Sequence, residues 1–215
     1  MYELIIFDWD GTLIDSESTI VNCMQGAIAE LGLPARDAAS IGNIIGLGLR
    51  EAILQLYPEL DDAQVEALRD GYSRFFVSND LTSGEVFPNV SETLAALHGH
   101  GCHLAVATGK SRKGLDRAFS HIDWDHYFHA SRCADETKSK PHPQMIHELL
   151  DQFQVPAERA LMVGDTEYDM DMARQAGVDR VAVDYGVHHV DRLVPYEPRL
   201  VVGDMKDLAD WVLAL

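Results

Sequence analysis

Apolar residues fall into two rhythms along this chain. Leu4-Ile5-Ile6-Phe7 is an unbroken apolar run, short enough for a strand covered on both faces. From Ser16, which can cap a helix, the spacing becomes helical. Ile20, Met24, Ala27 and Leu31 share one face, and Gly32 and Pro34 end it. Residues 41–60 predict two short helical pieces around Gly46-Leu47-Gly48. Asp61 and Asp62 open a further helix with Val65, Leu68, Tyr72, Phe75 and Phe76 along one side. Up to Asp80 the pattern predicts no second strand. Thr82-Ser83-Gly84 and Phe87-Pro88-Asn89 then mark a return passage.

After that passage the rhythms alternate. Helices are predicted over residues 90–98, 111–121, 143–153, 167–176 and 206–214. Strands are predicted over 102–107, 128–132, 161–163, 181–183 and 200–202. Alternating strands and helices indicate an α/β class with a parallel sheet covered on both faces. One strand therefore comes first, then some seventy residues of helix, then the rest of the α/β unit. Ligands of such sheets bind beyond the carboxyl ends of the strands. The helical insertion leaves and rejoins the chain near the first strand's exit, so it is expected to cover that site. Flexible joints are expected near Asp15-Ser16 and Thr82-Ser83-Gly84.

Composition narrows the function. The 215 residues carry a formal net charge of −18, which excludes a basic nucleic-acid footprint. An anionic substrate would need a locally basic or metal-loaded site. Cys23, Cys102 and Cys133 are few and scattered, as in a reducing compartment. The first residues are expected to be neither a signal peptide nor an anchor, and no stretch is expected to span a membrane. A cytoplasmic location is the expectation.

Four stretches carry candidate chemistry. Asp8 and Asp10 stand two residues apart at the first strand's exit, on one side of an extended chain. Gly11 permits a tight turn after them. Two adjacent acids repel, and a hard cation such as Mg²⁺ relieves that repulsion. Thr108 and Gly109 follow the second core strand and offer a hydroxyl, a close backbone N–H and a helix start to a phosphoryl oxygen. The adjoining Gly109-Lys110-Ser111 is not a P-loop, because the glycine required five places earlier is Leu104. Lys140, fixed before Pro141, can reach a site as a point charge, whereas Lys138 is read as solvated. Asp165 and Asp169 lie at a strand exit and one helical turn on, so both can face one point. Ten histidines invite a metal reading, above all His98-x-His100 and His188-His189, but neither pair has Cys or carboxylate partners at a usual zinc spacing. Within the insertion, Arg50 follows two glycines and could meet a carboxylate or second phosphate; an ordinary surface pairing with Glu51 or Glu59 is the alternative.

The stretch Asp8-Trp9-Asp10-Gly11-Thr12 resembles the first motif, Asp-x-Asp-Gly-Thr, of the haloacid dehalogenase-like hydrolase superfamily. Its extension Leu13-Ile14-Asp15-Ser16 resembles the phosphoglycolate phosphatase-like branch. Thr108, Lys140-Pro141 and Gly164-Asp165-x-x-x-Asp169 resemble the second, third and fourth motifs, in the same order. The resemblance implies a Rossmann-like core over residues 1–15 and 84–215, with a helical cap over 16–83. It implies Asp8 as nucleophile and Asp10 as general acid/base. It implies Mg²⁺ held by Asp8, Asp165 and the Asp10 backbone carbonyl, with Asp169 acting directly or through water. The implied substrate is a small phosphorylated metabolite, and the implied protein is a monomer or homodimer. Two rivals share parts of this pattern: a phosphomutase of the β-phosphoglucomutase kind, and a receiver module that stores phosphate on an aspartate. Phosphoglycolate, a sugar phosphate and a nucleotide all stay open as substrates.

Overall fold

The computed structural model describes residues 1–78 and 85–215. In chain order, β1 (Leu4–Phe7) and the two-residue β2 (Ile14–Asp15) lead into four helices. These are α1 (Glu17–Glu30), α2 (Ala38–Gly42), α3 (Leu49–Leu56) and α4 (Asp62–Ser78). The chain continues through β3 (Glu85–Val86), α5 (Val90–Gly99), β4 (His103–Thr108), α6 (Arg112–His121), β5 (Ala130–Cys133) and α7 (Gln144–Phe153). It ends with β6 (Ala160–Gly164), α8 (Glu167–Ala176), β7 (Asp179–Val183), α9 (Val190–Leu193), β8 (Leu200–Val202) and α10 (Met205–Leu213).

Six strands form one parallel sheet in the order β5-β4-β1-β6-β7-β8. The first strand is thus central, and the chain crosses over on either side of it. The β1 run alternates between two cores. Ile5 and Phe7 enter one apolar cluster with Leu104, Val106, Leu161 and Val163. Leu4 and Ile6 enter the other with Ala105, Ala107 and Met162. Both faces are buried, which is why the strand reads as continuously apolar instead of alternating. Trp9 continues the Ile5–Phe7 side and packs edge-on against Phe119 and Trp124, at 5.0 and 5.9 Å between ring centroids.

The helical stretch between β2 and β3 has an apolar cluster of its own, including Met24, Ala27, Ile41, Ile53, Val65 and Leu68. A short ribbon not predicted from the sequence ties it to the sheet unit. Ile14 pairs with Val86 and Asp15 with Glu85 in a short antiparallel ribbon, a pairing too short to leave an alternating pattern. The return passage expected at Thr82-Ser83-Gly84 lies outside the described residues. The four-residue α9 was also unread from the sequence, since one turn carries no periodicity. Among the described residues, no helix is long and apolar enough to cross a membrane.

Candidate active site

The carboxyl ends of β4, β1 and β6 lie side by side, and three of the four expected motifs stand there. Asp8 follows β1, and its N–H donates to the Val163 carbonyl of β6 at 2.9 Å. Thr108 ends β4 and is fully buried. Asp165 follows β6, and Asp169 lies in the first turn of α8. Lys140 arrives from the connection between β5 and α7, with its side chain fully buried.

Charge organises the cluster. The Lys140 ammonium forms ion pairs with Asp8 Oδ1 and Asp169 Oδ1, both at 2.7 Å. Burial alone would lower its pKa, but the two carboxylates more than offset that and hold it above the ordinary lysine value. Carboxylate oxygens of Asp8, Asp165 and Asp169 lie within 4.8 Å of one another, all buried. Burial pushes Asp8 well above the usual carboxylate range; Lys140 opposes the shift and the neighbouring acids add to it. Burial likewise pushes Asp165 up to about 7, with Asp169 contributing. Asp8 Oδ2 is buried with no hydrogen-bond partner. A buried carboxyl oxygen without a partner, in a cluster of three acids, calls for a cation beyond Lys140. The three hard oxygen donors fit Mg²⁺, and no soft ligand stands among them.

Close backbone packing fixes these acids. Asp165 accepts from the Thr12 hydroxyl and from the Val187 N–H, each at 2.8 Å. A methyl group added at Gly11, where φ is +81°, or at Gly186 would fall 2.2 Å from an atom of Asp165. Asp169 also closes a capping box with Thr166: its Oδ2 accepts the Thr166 N–H at 3.1 Å and hydroxyl at 2.7 Å. One carboxylate thus serves both the helix start and the charge cluster, so the helix-cap and site readings of Asp169 describe the same residue.

Asp10 sits apart from the three-acid cluster. Its Oδ1 accepts from the Ser16 hydroxyl at 2.5 Å and pairs with Lys110 at 2.9 Å. Ser16 occupies the N-cap position of α1 without capping it through its side chain, because its hydroxyl is turned to Asp10. The Thr108 hydroxyl accepts the Lys110 N–H at 3.2 Å. Lys138 is exposed, as expected.

The helical stretch touches this face directly. Added at Gly109, a methyl group would lie 2.5 Å from the Leu47 carbonyl oxygen and 2.7 Å from that of Gly46. The Gly48 N–H donates to Ser139 Oγ at 2.7 Å, and the Tyr168 hydroxyl donates to the Asn43 carbonyl at 2.9 Å. His188, buried, lies 3.3 Å from the same carbonyl through Nε2 and accepts the Glu167 N–H through Nδ1 at 3.2 Å. It joins two parts of the fold, and no zinc-type grouping forms around it among the described residues. Arg50 is not brought to the acids. Its half-exposed guanidinium meets Asp62 at 2.5 Å and Glu66 at 3.6 Å, rather than the expected Glu51 or Glu59.

Sequence reasoning missed Ser16, Lys110, Gly186 and Val187 as parts of this site. Gly186 carried a readable signal, a glycine just past a strand where backbone approaches closely. Lys110 lies in a stretch that fails the P-loop match, and nothing local in the sequence ties it to Asp10.

Comparison with known proteins identifies the family. Residues 5–183 match the model of a family described as "Haloacid dehalogenase-like hydrolase". A "Probable phosphatase IndB" of Dickeya dadantii is 37% identical, covering 100% of this chain and 95% of that protein. A "5'-nucleotidase" of Pseudomonas aeruginosa is 32% identical, covering 96% and 94%. The crystal structure of a predicted phosphoglycolate phosphatase from Haemophilus somnus superposes with a TM-score of 0.84 at 27% identity, covering 98% of each chain. The chain belongs to the haloacid dehalogenase-like hydrolase family, on its phosphoglycolate phosphatase-like branch.

Proposed function

We propose that this hydrolase is a Mg²⁺-dependent phosphatase that cleaves a small phosphate monoester through an aspartyl-phosphate. The observation that carries the reading is the orphaned Oδ2 of Asp8, inside a buried set of three acids that a single lysine bridges. A carboxylate so placed can form an acyl phosphate. Asp8 attacks phosphorus, and the ester P–O bond breaks. Asp10 gives a proton to the leaving oxygen and later takes one from the water that releases phosphate. Thr108 and the Gly109 N–H hold phosphoryl oxygens, while Lys140 offsets the repulsion between two anions. Asp8, Asp165 and the Asp10 backbone carbonyl would hold Mg²⁺, with Asp169 acting directly or through water. When bound, the ion supplies charge neutralisation for the phosphoryl group.

Residues 16–83 act in this reading as a cap that excludes bulk water during the first transfer. The contacts of Gly46, Leu47 and Gly48 with the sheet unit support a closed arrangement. The relatives' names point to both phosphoglycolate and nucleotides, so the substrate is proposed only as a small phosphorylated metabolite. A receiver module has no use for a cap placed against its phosphorylation site.

Purified protein should release phosphate from a panel of monoesters in Mg²⁺ and lose that activity in excess chelator. Mg²⁺ should restore it better than Ca²⁺, whose larger and looser shell disturbs in-line geometry. Stoichiometric phosphate at every turnover separates hydrolysis from phosphomutase chemistry. Full activity in chelator would remove the metal from the reading.

A further inference from the structure

Lys110 stands where the sheet unit meets the helical stretch, and its surroundings are specific. Its backbone is fixed at both ends: its N–H donates to Thr108 Oγ1 at 3.2 Å, and its carbonyl accepts the Ala134 N–H at 3.0 Å. Its ammonium lies 2.9 Å from Asp10 Oδ1, with side-chain exposures of 12% and 11% for the pair. The Ser16 hydroxyl donates to that same oxygen at 2.5 Å. Over the ammonium lies the Phe76 ring of α4, with Nζ 5.3 Å from the centroid. Phe76 in turn packs against Tyr72 at 5.8 Å between ring centroids. A cation held between a carboxylate and an aromatic face loses most of its freedom to move.

We propose that Lys110 is a positioning residue for Asp10. With Ser16 it clamps Oδ1, which fixes the carboxylate plane and leaves Oδ2 as the oxygen that exchanges the proton. Phe76 covers the clamp only while the helical stretch is docked, so docking and alignment of the proton donor are joined. The inference rests on the proposed role of Asp10 in proton transfer. In the step concerned, the bond from Asp8 to phosphorus forms and the bond from phosphorus to the ester oxygen breaks. The proton of Asp10 goes to that oxygen, and a neutral alcohol leaves. A misaligned donor matters only when the leaving oxygen needs the proton. An alkoxide does; p-nitrophenolate, already stable as an anion, does not.

The test measures the single-turnover rate of phosphoryl transfer to the enzyme for three monoesters in Mg²⁺. These are phosphoglycolate, 2-hydroxyethyl phosphate and p-nitrophenyl phosphate. In Lys110→Met the first two should fall by at least about tenfold, a share of what general acid catalysis provides. The third should stay within about twofold, because its barrier does not include that proton. Lys110→Arg should recover most of the loss, and Ser16→Ala should show the same leaving-group pattern more weakly. Thermal melts of each variant check that the fold is intact.

Equal losses on all three esters would overturn the proposal in favour of a structural role. A loss confined to phosphoglycolate would overturn it in favour of a residue that reads the substrate's carboxylate. No loss on any ester would also overturn it. Asp10→Asn separates the two layers. If Asp10→Asn shows the leaving-group pattern and Lys110→Met does not, the clamp alone is wrong. If Asp10→Asn transfers phosphate normally from alkyl esters, the proton-transfer reading falls and the clamp with it.

Discussion

Replacing Lys140 by Met removes the one cation that bridges Asp8 and Asp169 while keeping an unbranched side chain of similar length. The wild-type ammonium sits 2.7 Å from each carboxylate, and its side chain is fully buried. Removing one partner of a buried ion pair strands the other, at about 3–5 kcal/mol. In a chain of this size that corresponds to a fall of about 6–20 °C in melting temperature. The deficit should be largest in metal-free protein at neutral pH, where Asp8, Asp165 and Asp169 face one another without compensation. Saturating Mg²⁺ replaces part of the missing charge, so the variant should gain more from the ion than the wild type does. Urea unfolding of both proteins, with chelator and with Mg²⁺, measures the four free energies. A metal-free deficit below about 1 kcal/mol, the size of an exposed pair, would refute the charge-balance reasoning. So would a deficit that Mg²⁺ leaves unchanged.

Three further outcomes follow from the same geometry. Burial raises the Asp165 carboxyl to about 7, so between about pH 4 and pH 7 the native state holds a proton that the unfolded chain has released; its contribution to metal-free stability is therefore lost as pH rises through that window. Comparing urea unfolding of wild type and Asp165→Asn at about pH 5 and about pH 8 in chelator checks the sign, and a wild-type stability that rises relative to the variant would contradict it. Gly186→Ala places a methyl group 2.2 Å from Asp165 and should cost about 1–3 kcal/mol together with Mg²⁺ affinity measured by calorimetry, whereas Gly99→Ala, with nothing within 4 Å, should be near neutral. Arg50→Ala removes exposed pairs with Asp62 and Glu66, so it should change stability by no more than about 1 kcal/mol and affect phosphoglycolate and p-nitrophenyl phosphate turnover equally; a loss on phosphoglycolate alone would assign it to substrate selection.

The apolar rhythm carried the fold well because burial imposed it. β1 is apolar at every position since both faces are covered, and the helical stretch keeps one apolar stripe per helix over its own core. Strand order was not legible, since no local pattern says that β1 lies between β4 and β6. The ribbon of β2 and β3 was missed because two residues per strand leave no period. At the site, Asp8, Asp165 and Asp169 were visible as acids at strand exits and a helix start. What surrounds them was not. Ser16 looked like a helix cap and instead bonds Asp10. Lys110 sits in a phosphate-loop look-alike, and only the folded chain brings it to Asp10. Such pairings join residues distant in sequence, and their chemistry is ambiguous until the partner is known.

The central claim is that Asp8 carries the phosphoryl group between two half-reactions. Turnover in Mg²⁺ should be quenched at successive times with borohydride, which reduces an acyl phosphate to an alcohol, and the peptide containing residue 8 analysed by mass spectrometry. The account predicts homoserine at position 8, dependent on substrate and Mg²⁺, rising and decaying on the timescale of phosphate release, and absent from a folded Asp8→Asn protein. Phosphate release with no reduced residue at position 8 at any quench time, or with the reduction at Asp10 or Asp165 instead, would contradict it.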